Sequence, residues 1–188
     1  MNSSHKKYFE YLKKRSRLGL WYRNHWLYPH ICHYLNGHVL DVGCGIGDFL
    51  KFRKNTIGVD VNPENIGFCQ KMGLYASLIE SDHLPFETAS FDGIILDNVL
   101  EHIQTPEPLL REVHRIIKPF GTFIIGVPGV KGYSKDADHK IFYDKSRLEA
   151  IVSPIGFKSQ CSFCAPFKSA LLDRYLPQYC LYLIFTRD

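Results

Sequence analysis

The residues best suited to chemistry sit in Val39-Leu40-Asp41-Val42-Gly43-Cys44-Gly45-Ile46-Gly47-Asp48-Phe49-Leu50. An apolar run enters three glycines spaced two apart and leaves into a helical pattern, so a ligand can approach bare backbone at the end of a strand. A pyrophosphate loop would read G-x-G-x-x-G, with its helix N-terminus facing the phosphates. Here the spacing is G-x-G-x-G, and Asp48 stands where such an anion would arrive. Asp41 adds a carboxylate, so the loop suits a cationic or zwitterionic ligand. A second apolar run, Thr56-Ile57-Gly58-Val59-Asp60, also ends in an acid. A carboxylate there can accept both hydroxyls of an unphosphorylated ribose. Each feature alone reads as a turn or a helix cap, and together they point to a nucleoside-type ligand.

Placing these residues requires alternating elements. Strands are expected at Val39–Val42, Thr56–Asp60, Tyr75–Ile79, Asp92–Leu96 and Thr122–Val127, and a helix is expected after each of the first four. Asn62-Pro63-Glu64 supplies an N-cap, a first-turn proline and an acid on the positive end of the dipole, and Gly73 can close that helix. A later helix opens at Thr105-Pro106-Glu107, runs along Leu109, Leu110, Val113, Ile116 and Ile117, and ends at Pro119 and Gly121. Such alternation implies a parallel sheet covered on both faces. After a helix near Asp144–Ser153, Phe157–Phe163 and Tyr179–Thr186 read as an antiparallel pair at one edge. The expected fold is α/β: a Rossmann-like, doubly wound, mostly parallel seven-stranded sheet with an antiparallel C-terminal edge.

Residues 1–38 read as a helical arm preceding a body of residues 39–188. Tyr8, Tyr11 and Leu12 fall on one face, and Pro29 can open a second helix with an Ile31, Tyr34 and Leu35 stripe before Gly37. The arm carries seven Lys and Arg against one Glu, net +6 of a whole-chain +4, so the body is slightly acidic. With 188 residues, 45% of them hydrophobic, the chain has the size and composition of one globular domain. No apolar run is long enough for a membrane span and none resembles a signal peptide, so a cytoplasmic setting with six reduced cysteines is expected.

The order Leu40-Asp41-Val42-Gly43-Cys44-Gly45-Ile46-Gly47, Asp60, Leu84-Pro85-Phe86 with Ser90-Phe91-Asp92, Val99-Leu100-Glu101-His102, and Arg115-Ile116-Ile117-Lys118-Pro119-Phe120-Gly121 resembles the class I S-adenosylmethionine-dependent methyltransferases. The resemblance covers residues 39–157 and is weaker to the end. It implies that S-adenosylmethionine is the cofactor and S-adenosylhomocysteine its product. It makes Asp41, Gly43, Cys44, Gly45 and Gly47 the loop under methionine and ribose, with Asp60 the ribose acceptor. Val61 would pack on the adenine, Glu80 and Ser81 would flank its edge, and Leu96, Asp97 and Asn98 would line the methyl end. Two departures stand out: the helix between Gly47 and Thr56 is short, and the family's Pro-Gly-Gly turn is Pro119-Phe120-Gly121 here.

Methyl transfer from a sulfonium needs chiefly alignment and exclusion of water, with a base only where the acceptor proton has a high pKa. The long loop from Gly126 to Tyr143 contains the expected base, His139, with Asp138 beside it; a solvated or capping histidine is the plain alternative. Glu101-His102 reads as packing at a helix start behind the cofactor. Cys161-Ser162-Phe163-Cys164 is half a zinc motif on a strand, so no metal is expected. The expected acceptor is a small molecule, a glycan or a lipid-linked compound. The rival is a module whose basic aromatic arm binds nucleic acid or an anionic membrane surface. Nucleic-acid base methylation is disfavoured because Leu96-Asp97-Asn98-Val99 lacks the Asn/Asp-Pro-Pro-aromatic signature. The apolar segment Ala165–Gln178 could cover a substrate, touch a bilayer or pack on the arm.

Overall fold

The computed structural model describes residues 3–80 and 82–188. Seven strands form one sheet in the order β3-β2-β1-β4-β5-β7-β6. They are β1 Val39–Val42, β2 Thr56–Asp60, β3 Ala76–Leu78, β4 Phe91–Asp97, β5 Ile117–Pro128, β6 Phe157–Ala165 and β7 Cys180–Arg187. β1 to β5 pair in parallel, while β7 runs antiparallel to both β5 and β6. The chain winds outward from β1 to β3 and then returns to place β4 on the other side of β1, so the sheet's switch point lies between β1 and β4. Ligands of such sheets collect at that crevice, beyond the carboxyl ends of the strands.

The helices are α1 Ser3–Lys13, α2 Arg17–Tyr22, α3 Tyr28–Cys32, α4 Asp48–Phe52, α5 Pro63–Lys71, α6 Glu107–Ile116, α7 Val130–Tyr133, α8 Lys145–Val152 and α9 Ala170–Tyr175. Strand side chains alternate between the two faces. Leu40, Val42, Ile94, Leu96, Phe123 and Ile125 face α6 and α8. Val39, Ile95, Ile124 and Tyr182 face the arm, which covers them with Leu27, Tyr28, Ile31 and Leu35. Asn62 caps α5 by accepting from the Glu64 N–H at 3.0 Å, and Asp144 caps α8 by accepting from Arg147 N–H at 2.8 Å.

Several elements differ from the sequence expectation. β5 starts at Ile117, directly after α6, instead of at Thr122. Ile117 pairs with Phe91 across an irregular register, and Phe120 at φ 62° takes the left-handed position between Pro119 and Gly121, the two residues expected to end the helix. In α1, Leu12 is buried but Tyr11 is 69% exposed, so the two do not share an inner face. Pro29 stands in the first turn of α3, as expected, but the chain enters that helix through a wide π-type turn at Arg23–Leu27 in which Tyr28 N–H reaches the Arg23 carbonyl. A proline ring would collide with the carbonyl four residues back in a regular helix, and a widened turn relieves that. Leu171 and Tyr175 of α9 are exposed, as is Phe167 before it. Among the described residues, no helix is long and apolar enough to cross a membrane.

Candidate functional site

The glycine loop after β1 is held open by its own backbone. Gly43, Gly45 and Gly47 have φ of 78°, 54° and 75°, a region that disfavours any side chain. A Cβ on Gly43 would collide with Val99, and one on Gly47 would come within 2.6 Å of Leu74 and 2.9 Å of Cys69. Gly43 therefore clears the way to β4, whereas Gly47 brings α4 and α5 together and does not line a cavity. The Gly43 and Cys44 N–H groups both donate to the Val59 carbonyl, at 2.8 and 3.0 Å. Asp60 completes the anchorage: it accepts from Gly45 N–H at 2.8 Å, Asn62 N–H at 2.8 Å and Asn65 Nδ2 at 3.2 Å. Three of its roughly four lone-pair directions are thus taken, which leaves about one for a ligand hydroxyl rather than the two expected from sequence. Burial pushes this carboxyl upward, against the pull of those donors.

Two adjoining cavities open beside this loop, meeting at Tyr8, Gly43 and Asn98. The larger, of about 470 Å³, is bounded by Asp60, Val61, Ile79, Glu80 and Asp138. The smaller, of about 70 Å³, lies over Asp41, Cys44 and Asp97, with Arg23, Tyr28 and Leu12 reaching in from the arm. Val61 is 56% exposed on the wall of the larger cavity, the position of a platform for a flat ring. Asp41 is buried, and that burial, reinforced by Asp97 and Asp60, pushes its carboxyl well above the ordinary range. A cation entering here would relieve that cost.

Asp97 ends β4 in a dense set of contacts. It accepts from Tyr182 Oη at 2.8 Å and Asn98 Nδ2 at 3.0 Å, and pairs with Arg23 Nη1 at 3.2 Å. Burial is the largest single effect and works against the Arg23 charge, but Asp97 together with Tyr28 and Tyr182 outweighs it and holds the guanidinium charged. Asn98 adopts a left-handed φ of 58° and donates its N–H to the Gly126 carbonyl at 2.9 Å. This turn directs its side chain to the junction of the two cavities. A second cation, Arg15, pairs with Asp48 at the start of α4.

Most of the residues singled out from sequence converge here: Asp41, Gly43, Cys44, Gly45, Asp60, Val61, Glu80, Asp97, Asn98 and Asp138. Ser81 lies outside the described residues. Leu96 does not line a cavity: it is fully buried on the opposite face of β4, and Ile95 takes the cavity position. His139 is also turned away. Its Nδ1 lies 2.9 Å from the Tyr133 carbonyl, its ring stacks on Tyr133, and its side chain is 8% exposed. The acids nearest its Nε2 are Glu101 at 3.9 Å and Asp136 at 3.8 Å, not Asp138. Glu101 itself is 1% exposed, and burial raises its carboxyl to about 8. The sequence reading expected the aromatic arm, Tyr8 and Tyr28 included, to close over the cofactor or shape the acceptor pocket, but singled out neither these two nor Arg23 as site residues; their only signal was the arm's basic, aromatic composition.

The comparisons agree with this geometry. A family model described as a methyltransferase domain matches residues 40–125. An uncharacterised protein of Methanocaldococcus jannaschii is 28% identical over 138 residues, 68% of this chain and 67% of its own. A sterol 4-C-methyltransferase of Caenorhabditis elegans is 30% identical over 122 residues, 57% of this chain and 36% of its own, so the chain spans little more than a third of that relative. Among solved structures, an S-adenosylmethionine-dependent methyltransferase of Thermotoga maritima, described as a possible histamine N-methyltransferase, superposes with a TM-score of 0.79. It covers 98% of this chain and 99% of its own at 19% identity, a likeness of fold.

Proposed function

We propose that the chain is a class I S-adenosylmethionine-dependent methyltransferase and that it methylates a small-molecule, glycan or lipid-linked acceptor received between the sheet and the N-terminal arm. The carrying observation is the convergence of Asp41, Asp60, Asp97 and Asn98 on two joined cavities at the switch point. S-adenosylmethionine supplies a methyl group on a positively charged sulfur, already activated for displacement. The residues fit such a donor: buried carboxylates suit its cationic centres, Arg23 suits its carboxylate, Asp60 accepts from the ribose and exposed Val61 meets the base. Gly43 and Gly45 let the donor lie against backbone.

The chain's remaining task is alignment and the exclusion of water, which can supply several kcal/mol of the barrier. Tyr8, Leu12, Arg23 and Tyr28 cover the methionine end and narrow the entrance for an acceptor. Asp138 faces the larger cavity and can orient a polar acceptor, while His139 beside it in sequence is turned toward Glu101. Arg15, paired with Asp48, and Arg23, paired with Asp97, both line the smaller cavity, so these cations serve the pocket and do not form an outward phosphate-binding face. This favours the enzyme reading over a nucleic-acid module. A lipid-linked acceptor is favoured by exposed Phe167, Leu171 and Tyr175 on and beside α9, which contacts α7 at the ligand end of β5. The test is incubation with methyl-labelled donor and separate small-molecule, lipid and RNA fractions. Label in either of the first two supports the proposal, and label confined to RNA overturns it.

A further inference from the structure

Behind the cavity wall, the short turn at Leu100–His102 meets the loop that follows α7. The Glu101 carbonyl accepts from the N–H groups of Lys140 and Ile141, at 2.6 and 3.2 Å, which locks the two segments together. That junction brings ligand atoms of Glu101, His102 and His139 within 4.8 Å of one another. Glu101 is 1% exposed, and among the described residues neither of its carboxylate oxygens has a hydrogen-bond partner. A buried carboxyl so placed ionises only where a counter-charge is supplied.

The histidine geometry says which kind. A carbonyl can only accept, so the 2.9 Å contact with Tyr133 makes His139 Nδ1 the donor. In the neutral ring, Nε2 then carries the lone pair, and it points at Glu101 Oε1 from 3.9 Å. That separation is too long for a hydrogen bond. Two atoms bound to one metal at about 2.0–2.2 Å sit roughly 3.0–3.5 Å apart, so a small inward movement suffices. Anchoring one ring nitrogen on a carbonyl while the other faces the ion is also how metal-binding histidines are oriented.

We propose that Glu101, His102 and His139 form a three-ligand site for a first-row divalent metal ion in the wall of the larger cavity. Two imidazoles and one carboxylate select zinc, iron, cobalt or manganese over calcium and magnesium. His102 lines the cavity, so an oxygen-bearing ligand there has access to the remaining coordination positions. Sequence alone expects no metal, because the ligands come from two segments far apart in the chain, and the one motif with metal spacing, Cys161 to Cys164, lies on β6.

The full chain, stripped by chelator, is titrated with Co²⁺ and read by visible absorption. The site predicts one equivalent bound with ligand-field bands, displaced by Zn²⁺. Glu101→Gln, which keeps the shape of the buried side chain, and His102→Ala, at a more exposed position, should each weaken Co²⁺ binding at least tenfold while far-UV circular dichroism is unchanged. Co²⁺ binding that is undetectable, or equal in wild type and either variant, overturns the site and leaves a proton shared by His139 and Glu101. Binding of S-adenosylhomocysteine, measured separately, tests the donor assignment: a chain that binds it without Co²⁺ loses only the metal site, and the converse loses only the donor.

Discussion

Arg23, carried on a wide helical turn of the N-terminal arm, pairs with Asp97 at the end of β4 at 3.2 Å, with side chains 25% and 15% exposed. Tyr182 holds the other oxygen of Asp97 at 2.8 Å. The arm is thereby fastened to the strand end that lines the smaller cavity. Arg23→Ala leaves Asp97 partly buried without its cation, which should cost about 2 to 3 kcal/mol in urea unfolding. Arg23→Lys, without the planar fork, should recover only part. An unchanged denaturation midpoint in Arg23→Ala would show that the pair does not hold the arm.

Asp41 gives a pH signature. Burial, with Asp97 and Asp60 nearby, raises its folded pKa above its unfolded value. The unfolded state therefore releases its proton first, and stability falls as pH rises from the unfolded value through the folded one. A cationic ligand favours the charged form, so binding should release a proton and tighten as pH climbs through that range. Asp41→Asn should raise the Tm at neutral pH and weaken donor affinity. Calorimetry in buffers of different ionisation enthalpy reads the proton release; its absence would detach Asp41 from the ligand.

Glu112 behaves in the opposite sense. It accepts from Arg115 Nε at 2.7 Å, Arg115 Nη2 at 2.8 Å and Leu84 N–H at 3.0 Å, which clips the Leu84-Pro85-Phe86 turn to α6. Arg115, ahead of smaller effects, lowers its carboxyl to about 2. Its contribution is complete above an unfolded pKa of about 4.3 and is lost as pH falls toward 2. Glu112→Gln should cost about 2 kcal/mol at pH 7 and almost nothing at pH 2. A gap between the two proteins that is constant across that range would contradict this.

Buried parallel strands were the most legible parts of the chain. β1 and β2 match their expected limits residue for residue, because each is a short, mostly apolar run with an acid at or next to its carboxyl end, Asp41 in β1 and Asp60 in β2. The start of β5 was hidden by Pro119 and Gly121, which read as a helix ending, although pairing with β4 carries the strand through them. Strand-end acids could be located by position alone. Side-chain direction could not: Leu96 and Ile95 exchange roles by the two-residue period of β4, and His139 lies in the expected loop but faces inward. The arm's contribution depends on how its turn folds over the sheet, and only Pro29 hinted at that turn.

The claim that residues at the ends of β1, β2 and β4 bind S-adenosylmethionine and its product is tested most directly by titration calorimetry with S-adenosylhomocysteine on the wild type and Asp60→Ala. One site is expected in the wild type and a loss of about 1.5 to 3 kcal/mol in the variant, the range for hydrogen bonds to a charged group. Part of that loss comes from the Gly45 and Asn62 N–H groups that Asp60 anchors. Equal affinity in both proteins, or binding of NAD in place of S-adenosylhomocysteine, would contradict it.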